Sequence, residues 1–475
     1  MAAQDTLPPD HHIATSPLNP TVKDPPKFDL EAYIANYEGR TRFDRLYLIG
    51  RTSAFLSHDA LKAAVAEAKH GEDVSRYQLA VDSLRQTAPE DPDATIDMDW
   101  VDFTKKRVKA ETEKLEFELK GYKNNLIKES IRMGNEDLGL LYHRIGDLSQ
   151  AYKCYSRMRD YCTTPKNVFD MNMRLVVTCI EQGNWMSVLS NVQKIQNLLH
   201  NPDDEAKFQP YVCASRGLAQ LGAGNYKEAA VSFLRTDPSL GSQFKHVLTS
   251  NDVAVYGGIC ALASMDRAEL QDQVLKNSSF RNFLALEPHI RRAITLFCNS
   301  KYSQCLDILE AYKTDYLLDI YLQPHVADLY RSVRTKSIVQ YFIPFSTVTL
   351  DSMAQAFGTD EGSIEDELVA MIQSGALNAR IDTQNKVLTA IQTDLRSTAH
   401  REATTLVLSY KQAAYLHLTR MNLLNAGLEV KAPKNYQSRE AADLSRMGDV
   451  FHSHGNHGHG NMGKGSLRTA GGGRS

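Results

Sequence analysis

The chain has 475 residues, of which 54 are Lys or Arg and 57 are Asp or Glu, so its formal net charge at pH 7 is -3. With this net charge, the protein as a whole is not attracted to nucleic acid or to an anionic membrane. Any such binding would have to come from a local basic surface. The sequence contains no apolar stretch of about 18 residues and no apolar leader, so we predict neither a membrane span nor a signal peptide.

The N-terminal part combines a proline-rich start with a long charged helix. Residues 1–27 carry six prolines among polar residues and are predicted to be disordered, with order beginning at about Phe28. Residues 102–134 form a helix pattern with one apolar stripe. Its basic run Lys105–Arg107 has two interpretations, a nuclear-import patch or a solvated helix face. The alternating acids around it favour the solvated face.

Five segments between residues 138 and 311 share a pattern of apolar helix, short turn and amphipathic helix. Their turns lie near Gly146, Gly183, Gly224, Met265 and Ser300, at spacings of 37, 41, 41 and 35 residues. One hairpin cannot cover its own apolar face, so neighbours stack into a TPR-like solenoid, which usually presents surface to other proteins. The seven cysteines lie on apolar helix faces without C-x-x-C spacing, and we predict reduced core thiols.

From about residue 331 the pattern changes to three helices followed by two alternating segments. One helix ends before Pro344, Thr349 is placed to cap a second, and Ser363 is placed to cap a third. Segments 377–381 and 387–391 alternate apolar and polar residues around a TQNK turn, which predicts a β-hairpin. The combination predicts a winged helix over about 331–395, whose third helix would occupy the position that enters a DNA major groove.

The charge of this module argues against DNA. Residues 338–395 contain eight acidic and two basic side chains, a local net charge of -6, and the third helix carries Glu365, Asp366 and Glu367 but no Lys or Arg. Because phosphate binding needs cations, we predict no nucleic-acid binding. A free hairpin edge, 387–391 or 377–381, could instead pair with a neighbouring subunit. Val387 and Leu388 are the interface residues predicted there.

The last predicted helix, residues 396–430, carries apolar residues at alternating steps of three and four. This seven-residue repeat lasts three heptads and is typical of a seam against other helices. Packing back on its own domain is the alternative. The predicted seam consists of Val407, Tyr410, Ala414, His417, Met421, Leu424 and Leu428.

Helical hairpins that run directly into a winged helix resemble the PCI domain, named for the proteasome lid, the COP9 signalosome and translation initiation factor three. Three stretches narrow the resemblance, namely FDLEAYIANYEGRTRFDRLYLIGR (28–51), NEDLGLLYHRIGDLSQAYKCYSRMRDYC (135–162) and LYRSVRTKSIVQYFIPFSTVTLDSMAQAFG (329–358). Together they resemble the family of first subunits of the COP9 signalosome, over roughly residues 28–430. The predicted organisation is a helical-repeat region at 28–225, a PCI domain at 226–395 and a C-terminal bundle helix at 396–430.

The resemblance implies a non-catalytic scaffold subunit of the complex that removes Nedd8 from cullins and so regulates cullin-RING (SCF-type) ubiquitin ligases. The isopeptidase of that complex is a different chain. The implied partners are other signalosome subunits, through winged-helix edges and a C-terminal helix bundle, and cullin-RING ligases through the complex. The expected location is cytoplasm and nucleus. The alternatives are the homologous scaffold subunit of the proteasome regulatory lid and a nucleic-acid-binding regulator helped by the basic tail.

The tail, residues 431–475, is rich in His and Gly and predicted to be disordered. His452 and His454 repeat the H-x-H of Nedd8-isopeptidase zinc sites, but Met462 and Gly465 stand where those sites need a serine and an aspartate. A glycine-rich tail cannot hold three rigid ligands and an oriented water. We therefore predict no metal site, no cofactor and no catalytic residue.

Overall fold

The computed structural model describes residues 22–198, 202–241, 243–358, 361–391 and 395–428. The chain divides into two units, residues 1–391 and residues 392–475. The predicted disordered tail 431–475 and most of the predicted disordered segment 1–27 lie outside the described residues. In the described ranges no helix is both long enough and apolar enough to cross a membrane.

In the described part of the first unit, sixteen helices precede the winged helix, interrupted by short 3-10 turns and one π-helical segment, Leu270–Leu275. The helices before the repeats are α1 Leu30–Ile34, α2 Gly39–Thr52, α3 Ser57–His70, α4 Val74–Thr87 and α5 Met98–Asn124. The helices of the repeats are α6 Lys128–Ile145, α7 Leu148–Arg157, α8 Pro165–Gln182, α9 Trp185–Gln196, α10 Pro202–Gly222, α11 Tyr226–Leu234, α12 Ser250–Ser264, α13 Arg267–Glu269, α14 Ser278–Leu286, α15 Pro288–Cys298 and α16 Tyr302–Leu317.

The five predicted hairpin turns each lie between two helices, as expected. Gly146 and Gly183 end α6 and α8 in the left-handed conformation, with φ of 98° and 64°, where glycine avoids the steric cost of a Cβ atom. The residue after each glycine, Asp147 or Asn184, caps the following helix. Its side chain accepts a hydrogen bond from the backbone N–H of the third residue of that helix. A Gly-Asp or Gly-Asn pair therefore stops one helix and starts the next.

One buried hydrophobic cluster runs from Phe169 to Leu388, through the repeats and into the winged helix. It crosses the predicted boundary between residues 225 and 226 without interruption, so the core does not divide there. All seven cysteines are free, and six are buried. Burial raises the pKa of the Cys260 and Cys305 thiols to about 12, which keeps them protonated and inert.

The N-terminal segment is ordered earlier than predicted. The Val22 N–H donates to the Thr52 carbonyl at 2.7 Å, and the Val22 carbonyl accepts from Ala54 at 2.8 Å. The prediction that order begins at about Phe28 is therefore six residues late. This short Pro-rich stretch is ordered by hydrogen bonds to a distant part of the backbone. Its own sequence has no periodic pattern from which such order could be predicted.

A buried arginine joins α2 to the distant repeats. The Arg45 side chain is fully buried, and its guanidinium lies 3.2 Å from the Asp252 carboxylate and 2.5 Å from that of Asp319. The hydroxyls of Tyr37 and Tyr256 donate to these carboxylates at 2.7 and 2.8 Å. Burial alone lowers the pKa of Arg45, but Asp252 and Asp319 together raise it above its ordinary value. The cluster fixes the N-terminal helices on α12 and on the chain after α16.

The predicted winged helix is confirmed, with a third strand. It consists of α17 Val326–Phe342, β1 Thr347–Thr349, α18 Leu350–Phe357, α19 Glu361–Gln373, β2 Ala379–Asp382 and β3 Val387–Ala390. The three strands are antiparallel in the order β1-β3-β2. Thr349 caps α18 as predicted, whereas Ser363 lies inside the first turn of α19 and not at its cap.

Candidate assembly surfaces

Two side chains of α17 fix the winged helix, Lys336 by binding the repeats and Arg334 by binding α19 within the module. The Lys336 ammonium donates to the carbonyls of Leu262, at 2.9 Å, and Met265, at the end of α12. Burial lowers the pKa of Lys336 to about 8. Two residues earlier, Arg334 Nε donates to both carboxylate oxygens of Glu367 on α19, at 2.9 and 2.8 Å. The winged helix is thus presented in a fixed orientation.

The residues of the α18 apolar face are core residues, as predicted. Met353 is fully buried and Phe357 is 4% exposed. The Phe357 ring lies against Tyr341 of α17 and Tyr302 of α16, with ring centroids 5.5 and 6.2 Å apart. This face of α18 therefore forms part of the core of the module.

The premise that Val387 and Leu388 lie on a free edge is wrong. Their strand, β3, is the central strand and pairs with β1 on one side and β2 on the other. Leu388 is fully buried and lies opposite both Val348 and Ile381. A backbone paired on both sides and a buried side chain cannot pair with a further strand.

The edge strands of this sheet are β1 and β2. β1 has three residues, and its last residue, Thr349, already serves as the cap of α18. β2, Ala379–Asp382, is longer, exposes Arg380 and Asp382, and pairs only with β3 in the described part of the chain. It overlaps the second predicted edge, 377–381, although Leu377 precedes the strand and is buried. The candidate pairing surface is therefore β2.

The face that would meet DNA is acidic in the structure too. Asp366 is exposed on α19, Glu365 is half-buried, and Glu367 is held by Arg334. Because α19 has no basic residue, the helix offers no cation to a phosphate. This arrangement suits a protein partner better than a polyanion.

The second unit contains one described helix, α20, Leu395–Asn425, which agrees with the predicted last helix over most of its length. The predicted seam residues Val407, Tyr410, Met421 and Leu424 are 63%, 76%, 58% and 45% exposed. His417 is exposed as well, and Ala414 is half-buried. A large apolar surface in water is characteristic of a protein interaction site.

Leu428 does not belong to the helical seam. Gly427 follows the helix with φ of 66°, its N–H donates to the Leu424 carbonyl, and the Leu428 N–H donates to that of Leu423. This pair of bonds is a Schellman motif, which ends the helix and places Leu428 outside it. The Asn-Ala-Gly-Leu sequence carried that signal, but the heptad pattern was extended past it.

Sequence reasoning also missed apolar residues on the other sides of α20. At 100° per residue, Leu408 and Tyr415 lie on one side and Leu416 and Leu423 on the other, each roughly 130–150° around the helix from the centre of the seam. All four are exposed, from 46% for Leu423 to 72% for Leu416. A helix that is apolar all round is normally enclosed by neighbours on several sides. The predicted single seam is thus only part of the surface.

Within the described residues there is no group of three or more His, Cys, Asp or Glu side chains that could hold a metal ion. The H-x-H pair at His452 and His454 lies outside them. The most strongly perturbed titratable groups, those around Arg45, are enclosed in the core and bonded to each other. They are structural, so the surfaces β2 and α20 are the candidate functional sites.

Helical hairpins that share one core with a winged helix define a PCI-domain protein, and the family described as PCI domain matches residues 309–390. This match lies inside the predicted domain at 226–395. The family described as 26S proteasome subunit RPN7 matches residues 97–273.

Relatives that match most of the chain identify its family. The COP9 signalosome complex subunit 1 of Emericella nidulans is 58% identical over 86% of this chain and 84% of its own length. That of Arabidopsis thaliana is 40% identical over 86% of this chain and 92% of its own length. The 26S proteasome non-ATPase regulatory subunit 6 of rice is 26% identical over 61% of this chain and 74% of its own length. The chain belongs to the COP9 signalosome complex subunit 1 family.

Proposed function

We propose that this chain is a non-catalytic scaffold subunit of a COP9 signalosome, the complex that removes Nedd8 from cullins and so regulates cullin-RING ubiquitin ligases. The observation that carries the proposal is the 58% identity to a signalosome subunit over most of both chains. The exposed apolar surface of α20 supports it, because such a helix needs other helices around it. The isopeptidase is then a different chain, and the part of this protein is to position partners.

Two surfaces would make the contacts with other subunits. The β2 edge is suited to pair with a strand of a neighbouring winged helix, since its outer backbone groups extend the sheet by ordinary strand addition. α20 is suited to enter a helix bundle. Contacts to cullin-RING ligases are made through the complex, which we propose to operate in both cytoplasm and nucleus.

A charged triple variant of α20 tests the proposal. Val407→Asp, Met421→Asp and Leu424→Asp place three carboxylates at exposed positions of the seam. We expect a tagged protein carrying them to lose the other signalosome subunits in a pull-down, and to fail to support removal of Nedd8 from cullins in cells. Its helical circular dichroism should remain close to that of the wild type.

The matched control adds the same charge to the same helix. Ser397→Asp, His400→Asp and Thr404→Asp replace exposed residues in the first turns of α20, before its apolar surface begins at Leu406, and should leave co-purification intact. Normal co-purification of the seam variant would refute the assembly role of α20. Recovery of proteasomal ATPases with the wild type, and not of an isopeptidase with cullins, would favour the proteasome-lid alternative. A salt-sensitive gel shift by the full chain would revive nucleic-acid binding.

A further inference from the structure

Helix α5 has an exposed aromatic line that none of the preceding functions uses. Its inner face packs on α6. Leu119 of α5 is 5% exposed and forms a small core with Ile131 and Leu138 of α6. Roughly opposite, Phe103, Ala110 and Phe117 follow one another at seven-residue spacing, and all three are exposed. We call these three residues the outer stripe of α5.

The outer stripe is large and regular. Phe103 is 64% exposed and Phe117 is 79% exposed, although aromatic side chains usually provide core packing. Seven residues are close to two helical turns, so the two rings lie about 21 Å apart along one line of the helix at 1.5 Å per residue. Such a line has the period with which a second helix packs alongside the first.

Three uncompensated lysines lie beside the outer stripe, whose N-terminal end also carries the exposed Asp99 and Asp102. Lys106 and Lys120 lie on one side of it and Lys114 on the other, and in the described part of the chain none of these three lysines forms an ion pair. The nearby Arg107 is already paired with Glu72 at 3.3 Å, and Glu113 with Lys109 at 3.9 Å. The outer stripe is therefore an apolar line bordered by three available ammonium groups.

We propose that the outer stripe of α5 docks an amphipathic helix of another protein, one with apolar residues every seven positions and with Glu or Asp on the flanks. The apolar spacing selects a helix, and the free lysines select acidic flanks. A nucleic acid fits less well, because α5 also carries six acidic residues between Met98 and Asn124.

The two ends of the chain do not have the composition of the proposed occupant. Residues 1–21 contain four prolines, and residues 429–475 carry more basic than acidic side chains. The occupant is therefore another protein. The proposal rests only on α5 and stands independently of the function of β2 and α20.

A peptide with the stated chemistry tests the outer stripe on the purified full chain. The probe is a fluorescein-labelled helical peptide of three heptads, with leucine along one face and glutamate on both flanks. Its partner probe has lysine in place of every glutamate. Fluorescence anisotropy gives the two dissociation constants. We expect the glutamate peptide to bind at least about tenfold more tightly than the lysine peptide.

Two variants locate the binding. Phe103→Ser with Phe117→Ser should weaken the glutamate peptide at least about tenfold, while Phe55→Ser, another exposed phenylalanine at 69%, should change nothing. A triple change of Lys106, Lys114 and Lys120 to Glu should reverse the preference in favour of the lysine peptide. All substituted side chains are exposed, so unchanged thermal melting is expected and serves as the folding control.

Three results would overturn the proposal. Equal affinity of the two peptides would remove the role of the lysines. Equal binding by the wild type and the double Phe variant would place the peptide elsewhere, for instance on α20. Binding of a 20-nucleotide RNA more tightly than of the glutamate peptide, and its loss in the triple Glu variant, would make the outer stripe a nucleic-acid surface.

Discussion

Replacing the buried Arg45 by methionine separates the contribution of its charge to stability from the contribution of its volume. Methionine fills much of the same space, but it leaves the carboxylates of Asp252 and Asp319 without their cation. In the wild type these carboxylates lie 3.2 and 2.5 Å from the guanidinium, and the arginine is fully buried. Removing one partner of a buried charge pair costs about 3–5 kcal/mol, because the remaining charge is neither solvated nor compensated.

The loss should appear first in α2, because Arg45 holds this helix to residues more than 200 positions away. Hydrogen exchange followed by mass spectrometry measures local opening without requiring the whole unit to unfold in one step. For peptides from Gly39–Thr52 we expect protection to fall by at least about a hundredfold, the equivalent of roughly 3 kcal/mol. Peptides from the distant α9 should keep their protection.

The defect should also depend on pH. Burial raises the pKa of Asp252, and Arg45 opposes this effect. Without the arginine the pKa of Asp252 rises further, so the folded variant holds a proton that the unfolded chain releases at about pH 4. Stability of the variant therefore falls as pH rises from about 4 to the raised pKa of Asp252 in the folded variant. The difference in melting temperature between variant and wild type should be larger at pH 8 than at pH 5.5.

Arg42→Met provides the matched control on the same helix. Arg42 lies at the surface, with its side chain 41% exposed, and is paired with Glu67 at 3.4 Å. Exposed pairs contribute at most about 1 kcal/mol, so its exchange pattern should stay near that of the wild type. If Arg45→Met leaves the protection of α2 unchanged, or if both variants lose it equally, the buried charge cluster does not hold the N-terminal helices.

Three further changes test local packing and titration. In Gly222→Ala the new Cβ would meet the Trp185 ring at 2.3 Å, so we expect a loss of roughly 1–3 kcal/mol, measured by thermal melting. In Gly121→Ala, inside α5, nothing lies within 4 Å, so a gain of about 0.5–1 kcal/mol is expected, and a loss there would contradict it. Burial, with a smaller effect of Lys27, lowers the pKa of His289 to about 4, whereas the unfolded value is about 6.5. The wild type should therefore lose stability as the pH falls from 6.5 to 4, by up to about 1.4 kcal/mol per pH unit. His289→Gln should not show this loss, and equal slopes of stability against pH in the two proteins would show that His289 does not cause it.

What the sequence predicted well depends on neighbours along the chain. Four of the five repeat turns contain a residue with positive φ that stops the helix, namely Gly146, Gly183, Gly224 and Ser300. The winged-helix core was predicted for the same reason, since Leu350, Met353 and Phe357 share one helix face and are all buried. Such signals need no knowledge of distant contacts.

What the sequence did not predict depends on pairing between distant residues. β1 has three residues, of which one is buried, too few for an alternating pattern, so β3 looked like an edge until the third strand was placed. The contacts of Arg45 to Asp252 and Asp319 span 207 and 274 residues. No periodicity marks such pairs, and an arginine in an amphipathic helix is ordinarily expected at the surface.

The apolar surface of α20 has a consequence for how the helix can be accommodated. One partner helix covers a stripe, and a stripe along Val407 and Met421 leaves Leu416 and Leu423 in water on the other side. Those two side chains are 72% and 46% exposed, and burying a leucine contributes about 1.5–3 kcal/mol. A second helix is therefore favoured wherever a first one binds, and we expect the stable environment of α20 to be a bundle and not a pair. Substitution of Leu416 and Leu423 by Asp should then weaken assembly as the seam variant does, even though both residues lie off the seam.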